Sequence, residues 1–250
     1  MARWKYAPDI ETEQSSALLR LGSGYGGWKF EQSSDLHNST IVSCGLGEDA
    51  SFDIEFAARF CAKVIIVDPT PRAIRHFEGI RQRIGQPASE SYAEGGKQPV
   101  TSYDLSKITE HSLHLETSAL WTHNTTLKFF APPNPDHVSH SIVNFQNNYV
   151  EHTPHIEVAA TTLETLLAKF DLMTVPLMKL DIEGAEIAVI QQMLDTAIRP
   201  RQLLVEFDQL SCPSRRSKQD VEATNHRLAQ AGYICRYFDG RSNCLYILQQ

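Results

Sequence analysis

Two carboxylates stand where buried strands are predicted to end in the second half of the chain. Asp181 closes the apolar run PLMKLD (176–181), and Glu206 lies next to the end of QLLVEF (202–207). In an open α/β sheet the ligand sits at the carboxyl ends of the strands, so these two side chains would approach one site. A carboxylate in that place could remove a proton from an alcohol or bind a metal ion.

Glu183 and Glu186 follow Asp181 in the segment EGAE, and they admit two interpretations. Acidic residues in the first turn of a helix stabilise its dipole, and Asp181 could itself cap that helix. Glu183 is nevertheless retained as a third catalytic candidate beside Asp181 and Glu206, whereas Glu186 is assigned a structural role. No tight ligand pattern supports a metal ion, so no metal-binding residue is predicted.

A glycine-containing turn, CGLG (44–47), follows the first predicted buried strand, TIVSC (40–44). Glycines in this place let the backbone turn sharply and approach a ligand closely. Asp68 ends the next predicted strand, KVIIVD (63–68), where a carboxylate can accept hydrogen bonds from both ribose hydroxyls. The alternative is a plain strand-to-helix turn with Asp68 as a capping residue. The candidate cofactor-binding residues are Cys44, Gly45, Leu46, Gly47, Asp68 and Asp181.

The same turn fits two kinds of nucleotide. The segment GLGEDA (45–50) also matches the dinucleotide pattern G-x-G-x-x-G/A, which would indicate a nicotinamide-dependent oxidoreductase. However, Glu48 and Asp49 lie where a pyrophosphate would meet the helix N-terminus, and two carboxylates would repel it. They are compatible with the sulfonium and ammonium groups of S-adenosylmethionine, so the turn favours this methyl donor.

The elements that would position these residues alternate between strands and helices. Helical periodicity or caps are found at 51–62, 71–84, 183–194 and 218–232, and further strands are predicted at 112–121, 125–131 and from 155 onward. Asp239 and Gly240 between two apolar runs predict a closing hairpin. Such alternation indicates a mostly parallel α/β sheet with helices on both faces and one antiparallel edge. We predict an N-terminal extension (1–39) and one domain (40–250).

Composition excludes several classes of protein. The chain has 250 residues and a formal net charge of -7, which argues against nucleic acid as a partner because phosphate binding needs a basic face. No apolar run is long enough to span a membrane, and the N-terminus lacks a secretory signal, so a cytoplasmic location is expected. The five cysteines form no C-x-x-C pair and are expected to be reduced thiols.

Three segments carry a resemblance to a known family. VSCGLGEDASFD (42–53), VIIVDPTPRAIRHF (64–77) and LMKLDIEGAE (177–186) resemble successive motifs of FkbM-type methyltransferases. The similarity covers nearly the whole chain from about residue 20, and GSGYGGW (22–28) resembles one branch of the family. Cys44 departs from the pattern, because methyltransferases often have a small or acidic residue there.

The resemblance implies a Rossmann-like class I methyltransferase fold with S-adenosylmethionine as the donor and usually oxygen as the acceptor. The predicted function is therefore methylation of a hydroxyl on a small molecule or glycan. The alternatives are an NAD-dependent oxidoreductase and a non-catalytic module that binds S-adenosylmethionine. The oligomeric state is not predicted.

Two further segments are candidates to cover the site. The N-terminal extension could pack over the donor, with Tyr25 and Trp28 above it, although aromatic packing onto the sheet is equally compatible. The segment 132–155 is predicted as a polar loop in which a histidine could act as a base near neutral pH, and a solvated loop is the alternative. Its histidines are His137, His140, His152 and His155.

Overall fold

The computed structural model describes residues 5–13, 17–130, 142 and 154–249, which form a mixed α/β structure. The strands of this part of the chain are β1 (Leu18–Leu21), β2 (Trp28–Glu31), β3 (Thr40–Cys44), β4 (Lys63–Val67), β5 (Leu113–Glu116), β6 (Ala119–Leu120), β7 (Thr125–Phe130), β8 (His155–Thr161), β9 (Leu177–Leu180), β10 (Gln202–Glu206), β11 (Tyr233–Phe238) and β12 (Asn243–Leu248). The α-helices are α1 (Ser51–Phe60), α2 (Pro71–Arg81), α3 (Leu163–Lys169), α4 (Glu186–Asp195) and α5 (Arg215–Gln230).

The largest sheet has the strand order β5-β4-β3-β9-β10-β12-β11. Its strands from β5 to β10 pair in parallel, whereas β12 is antiparallel to both β10 and β11. This arrangement confirms the predicted mostly parallel sheet and is consistent with the predicted antiparallel hairpin. From β3 the chain first builds outward through β4 and β5, and later through β9 and β10 on the other side. The order therefore reverses between β3 and β9, and a crevice forms at their carboxyl ends.

The central strands are buried on both faces. Ile41 and Val64 belong to a core shared with α1 and α2, whereas Val42 and Ile65 belong to a second core shared with α3, α4 and α5. Successive side chains of a strand point to opposite faces, so a strand covered on both sides has a continuous apolar sequence. This is why the short apolar runs before residues 45 and 68 predicted these strands correctly.

The N-terminal segment forms a hairpin that the sequence analysis did not predict. Strands β1 and β2 pair with each other, and Phe30 packs against Phe56 of α1 with ring centroids 5.4 Å apart. The backbone N–H of Glu31 donates to the side-chain oxygen of Gln202 (2.9 Å), and the Gln202 amide donates back to the Glu31 carbonyl (2.7 Å). These contacts attach the hairpin to the first residue of β10.

Several local predictions differ from the structure. The run 112–121, predicted as one strand, contains β5 and β6, and β6 lies in a separate three-stranded sheet with β8 and β7. The helix predicted from residue 183 begins at Glu186, because Glu183 and Gly184 have φ values of 54° and 96°, outside the right-handed helical region. The predicted cap of α2 is confirmed, since the Thr70 side chain accepts a hydrogen bond from the Ala73 N–H.

Candidate active site

A cavity of about 570 Å³ opens at the carboxyl ends of β3, β4, β9 and β10, where the strand order reverses. The crevice at such a reversal is the usual ligand site of open α/β sheets. The sheet thus brings together seven of the eight residues that the sequence analysis assigned to the site. They are Gly45, Leu46, Gly47, Asp68, Asp181, Glu183 and Glu206.

Cys44 is the predicted site residue that does not line the cavity. Its side chain is fully buried in the core beside α3, α4 and α5, and burial raises the pKa of its thiol to about 12. Its carbonyl oxygen accepts a hydrogen bond from the backbone N–H of Asp181, with the two atoms 3.2 Å apart. The thiol is therefore protonated at neutral pH, and Cys44 joins β3 to the end of β9 through its main chain.

The glycine turn, residues 45–47, depends on glycine at its first position. Gly45 has a φ of 89°, and a Cβ atom placed on it would lie 1.9 Å from the carbonyl oxygen of Asp181. Gly47 also has a positive φ (55°), but a Cβ atom there would meet no other atom within 4 Å. Any larger residue at 45 would therefore push β3 and β9 apart at the floor of the cavity.

The Asp68 carboxylate holds the glycine turn in place. One of its oxygens accepts hydrogen bonds from the N–H groups of Leu46 (3.0 Å) and Gly47 (2.9 Å). The other accepts from the N–H (2.9 Å) and the hydroxyl (2.7 Å) of Thr70. Asp68 thus has a structural role in the turn, whereas Thr70 is the cap of α2. Asp68 also lines the cavity, where its predicted contact with ribose would be made.

The turn between β9 and α4 is fixed by Glu186, in keeping with its structural assignment. Its buried carboxylate accepts hydrogen bonds from the N–H groups of Ile182 (2.9 Å) and Gly184 (3.1 Å). Burial, and then the charge of Asp208, raises the pKa of Glu186 well above its usual range. Glu183 lies in this turn with a positive φ, and it faces the cavity.

Asp181 and Glu206 follow paired positions on neighbouring strands. Leu180 of β9 is in register with Val205 of β10, so the next residue of each strand reaches the same edge of the sheet. Burial, and then the charge of Asp181, raises the pKa of Glu206 to about 8, and the Ser242 hydroxyl donates a hydrogen bond to it (3.2 Å). A carboxyl group whose pKa is raised in this way can donate a hydrogen bond near neutral pH.

We expect Glu206→Gln to stabilise the protein increasingly as the pH rises. The folded pKa of Glu206 lies above its ordinary value of 4.5. The bound proton therefore stabilises the folded state fully below pH 4.5, and this contribution is lost as the pH rises through about 8. Glutamine imitates the protonated form and does not titrate. Urea unfolding between these limits should show a growing difference between the unfolding free energies of variant and wild type.

The matched control for this measurement is Asp104→Asn at an exposed position, where hydrogen bonds from Ser106 lower the pKa of the Asp104 carboxyl group. Its effect on the free energy of unfolding should not vary between pH 4.5 and 8, because the lowered pKa lies below that interval. A pH-independent difference for Glu206→Gln would show that the pKa of Glu206 is not raised in the folded protein.

Acidic side chains dominate the cavity wall. The wall contains eight aspartates and glutamates but only two basic residues, Lys179 and Arg241, among the described residues. Such an excess attracts cations and repels polyanions in a partly enclosed space. The acidic residues are Glu48, Asp49, Asp68, Asp181, Glu183, Glu206, Asp208 and Asp239.

The turn between β1 and β2 forms the opposite wall. Residues 24–28 line the cavity. The hydroxyl of Ser23 donates to Asp49 (2.6 Å) just before α1 and accepts from the Gly26 N–H (2.9 Å), while the Ser23 N–H donates to the Ser51 hydroxyl (2.7 Å) at the start of α1. Tyr25 is 72% exposed, and a Cβ atom placed on Gly96 would lie 2.5 Å from its ring. An aromatic side chain thus lies at the cavity wall with most of its surface free.

Sequence reasoning missed part of the wall. Lys179 lies in a strand that was interpreted only as apolar. A lysine inside an apolar run is itself a signal, and it could have identified Lys179 as a candidate site residue. Asp239 was interpreted only as a turn residue, and Arg241, Ser242 and Asn243 drew no assignment. Of the candidate histidines, His155 begins β8 and does not line the cavity. The others, His137, His140 and His152, lie outside the described residues.

The described part of the chain lacks the features of two other kinds of site, a metal centre and a membrane span. No group of three or more His, Cys, Asp and Glu side chains there is arranged to hold a metal ion. None of its helices combines the length and apolarity that crossing a membrane requires. All five cysteines are free, as predicted.

One family model matches most of the chain. The model of the family described as "Methyltransferase FkbM domain" matches residues 29–235. The matched range contains the glycine turn, Asp68 after β4, Asp181 after β9 and Glu206 at the end of β10. No curated protein matches the chain.

Proposed function

The chain belongs to the FkbM methyltransferase family, and on this premise we propose that it is an S-adenosylmethionine-dependent O-methyltransferase. The observation that carries the proposal is the acidic cavity at the strand reversal, where the glycine turn meets Asp181 after β9 and Glu206 at the end of β10. In the large sheet the antiparallel strand β12 lies beside β10, which pairs in parallel with β9. This strand order is compatible with a Rossmann-like class I fold. The proposed acceptor is a hydroxyl on a small molecule or glycan.

The charge of the wall supports a sulfonium donor over a dinucleotide. S-adenosylmethionine carries two positive groups and one carboxylate, whereas NAD carries a pyrophosphate. Glu48 and Asp49 lie beside the glycine turn, where a pyrophosphate would have to bind. The cavity volume of about 570 Å³ lies within the ~300–1,000 Å³ that is usual for small-molecule sites. The residues present therefore fit the methyl donor.

We place the adenosine end of the donor between Asp68 and the apolar residues Ala119, Leu120 and Phe129, which also line the cavity. All four hydrogen bonds to Asp68 come from protein groups, so a ribose hydroxyl would replace the Thr70 hydroxyl as a donor. This exchange needs only a rotation of the Thr70 O–H bond, and Oγ1 keeps its capping hydrogen bond from the Ala73 N–H. The glycine turn would stay in place meanwhile.

The acceptor end of the cavity is placed at Asp181 and Glu206. The donor supplies a methyl group that positive sulfur activates for in-line attack. Asp181 would take the proton of the acceptor hydroxyl as the O–C bond forms and the methyl–sulfur bond breaks, leaving a neutral thioether. Glu206, whose pKa is raised to about 8, would donate a hydrogen bond that orients the acceptor near neutral pH. Glu183 faces the same space and is proposed as a further contact to the acceptor.

We also propose that the N-terminal segment completes the donor site. Residues 24–28 form one wall, and Tyr25 and Trp28 are suited to contact the ligand through their rings. The boundary between an extension (1–39) and a domain (40–250) would then separate two parts of one site. The hydrogen bonds between Gln202 and Glu31 support this attachment.

The test of the proposed function is thermal unfolding with S-adenosylhomocysteine or NAD present. A ligand at one hundred times its dissociation constant stabilises the folded state by about 2.7 kcal/mol, which corresponds to a rise in Tm of roughly 5–10 °C for a domain of this size. We expect this rise with S-adenosylhomocysteine and none with NAD. The reverse result would replace the proposal by an oxidoreductase. Donor binding with no methyl transfer to any acceptor in a broad screen would favour a non-catalytic module.

A further inference from the structure

Lys179 is unusual because a charged side chain occupies the middle of a buried central strand. All four residues of β9 are buried, and Lys179 is 4% exposed. It is the only lysine or arginine among the buried residues of the described chain. A buried ammonium group costs several kcal/mol unless partners compensate it, so its partners indicate its role.

The ammonium group of Lys179 links two strands at the floor of the cavity. Its Nζ atom donates a hydrogen bond to the carbonyl oxygen of Gly45 and lies 3.4 Å from Oδ2 of Asp181. It also lies 5.5 Å from the ring centroid of Trp28. One cation thus contacts the glycine turn, the carboxylate that follows β9 and an aromatic residue of the opposite wall.

A second buried carboxylate shares this cation. Asp53 in the first turn of α1 is 1% exposed; burial raises the pKa of Asp53 to about 6, while the positive charge of Lys179 opposes the rise. Burial disfavours a charged Lys179, but the charges of Asp181 and Asp53 outweigh it and raise the lysine pKa. Lys179 therefore remains charged at neutral pH and compensates two carboxylates.

The two carboxylates differ in their surroundings. Asp53 does not line the cavity, whereas the Asp181 side chain is 33% exposed and lines it. A buried ion pair contributes little net stability, because desolvation offsets the Coulomb attraction. The charge of Asp53 favours a charged Lys179 within the core, but it does not account for the hydrogen bond to Gly45 or the ion pair with Asp181.

We propose that Lys179 is a positioning residue of the donor site, whose ammonium group fixes the Gly45 carbonyl and the Asp181 carboxylate relative to each other. This inference rests on the proposed methyltransferase function. The hydrogen bond to Gly45 sets the direction of the following N–H groups in the glycine turn, and the ion pair holds Asp181 at the strand end. The donor and the base are thereby aligned by one group beneath them.

The test compares Lys179→Met with the double variant Lys179→Met/Asp53→Asn in the full chain. Thermal unfolding measures the fold, and calorimetry measures the affinity for S-adenosylhomocysteine. The single variant leaves Asp53 buried without a cation, so its Tm should fall. The double variant removes both charges with little change in shape, so its Tm should recover toward the wild-type value. Its affinity should remain about tenfold or more below wild type, because the Gly45 carbonyl still lacks its charged donor.

The matched control is Lys169→Met, which removes a lysine ion pair with Glu116 away from the cavity. It should bind S-adenosylhomocysteine as the wild type does. A double variant that recovers both Tm and affinity would overturn the proposal, and so would one that remains unfolded, because Lys179 would then serve the fold alone. Absence of binding by the wild type would instead overturn the proposed function on which the inference rests.

Discussion

Gly45→Ala should destabilise the protein by ~3 kcal/mol or more and abolish binding of S-adenosylhomocysteine. The new methyl group would lie 1.9 Å from the Asp181 carbonyl oxygen, in a backbone conformation that alanine rarely adopts. Either the strand ends separate or the turn changes its conformation, and both outcomes deform the floor of the cavity. Urea unfolding and calorimetry measure the two effects.

Gly47→Ala is the matched control for this substitution. Gly47 also has a positive φ, but no atom lies within 4 Å of the position that its Cβ would take. The cost in unfolding free energy should be only the ~1–2 kcal/mol of a left-handed alanine. The comparison is made on stability alone, because Gly47 itself lines the cavity. Equal destabilisation by the two variants would show that the close approach of Gly45 to Asp181 does not matter.

Asp181→Asn should lower turnover on the order of 10²–10⁴-fold, the usual contribution of a general base. Asparagine keeps the size of the side chain but cannot take the proton of an acceptor hydroxyl. Affinity for S-adenosylhomocysteine should change much less than turnover, since the glycine turn and Asp68 are untouched. The measurement needs an acceptor, which a screen of hydroxylated metabolites and sugars must supply first.

Glu206→Gln provides the comparison on the neighbouring strand. Because burial raises the pKa of Glu206 to about 8, glutamine resembles its protonated form at neutral pH, and turnover at pH 7 should change little. Normal turnover by Asp181→Asn together with a large loss in Glu206→Gln would exchange the two roles. Normal turnover by both would move the base to Glu183 or to the histidines of 137–155.

The sheet was predictable because its signals are local. Strands β3 and β4 are short apolar runs that are followed directly by Gly45 and Asp68. The start of α2 is marked by Thr70 as the cap and by Pro71 as the first helical residue. Since parallel strands place their carboxyl ends along one edge, the residues after each strand were correctly expected to meet. That rule alone predicted that the glycine turn and Asp181 lie at the same edge of the sheet.

The missed residues depend on contacts between distant segments. Asp239 and Arg241 reach the cavity only because β12 inserts between β10 and β11, an order that no local pattern encodes. Strands β1 and β2 have only four residues each, which is too short to show a clear alternation of apolar and polar side chains. Lys179 contradicts the apolar pattern of its strand, and only its partners in the fold explain why it is there.

The carboxylates of the cavity wall act differently on the two forms of the bound nucleoside. In the proposed reaction the ligand enters with one net positive charge and, once the methyl group has left, it is a neutral thioether. Asp181 takes the proton of the acceptor in the same step, so the wall would also lose one negative charge, and its Coulomb attraction for the ligand would fall at the moment of transfer. Departure of the spent nucleoside would thereby be favoured over departure of the fresh donor, and the excess of acidic residues would limit inhibition by product.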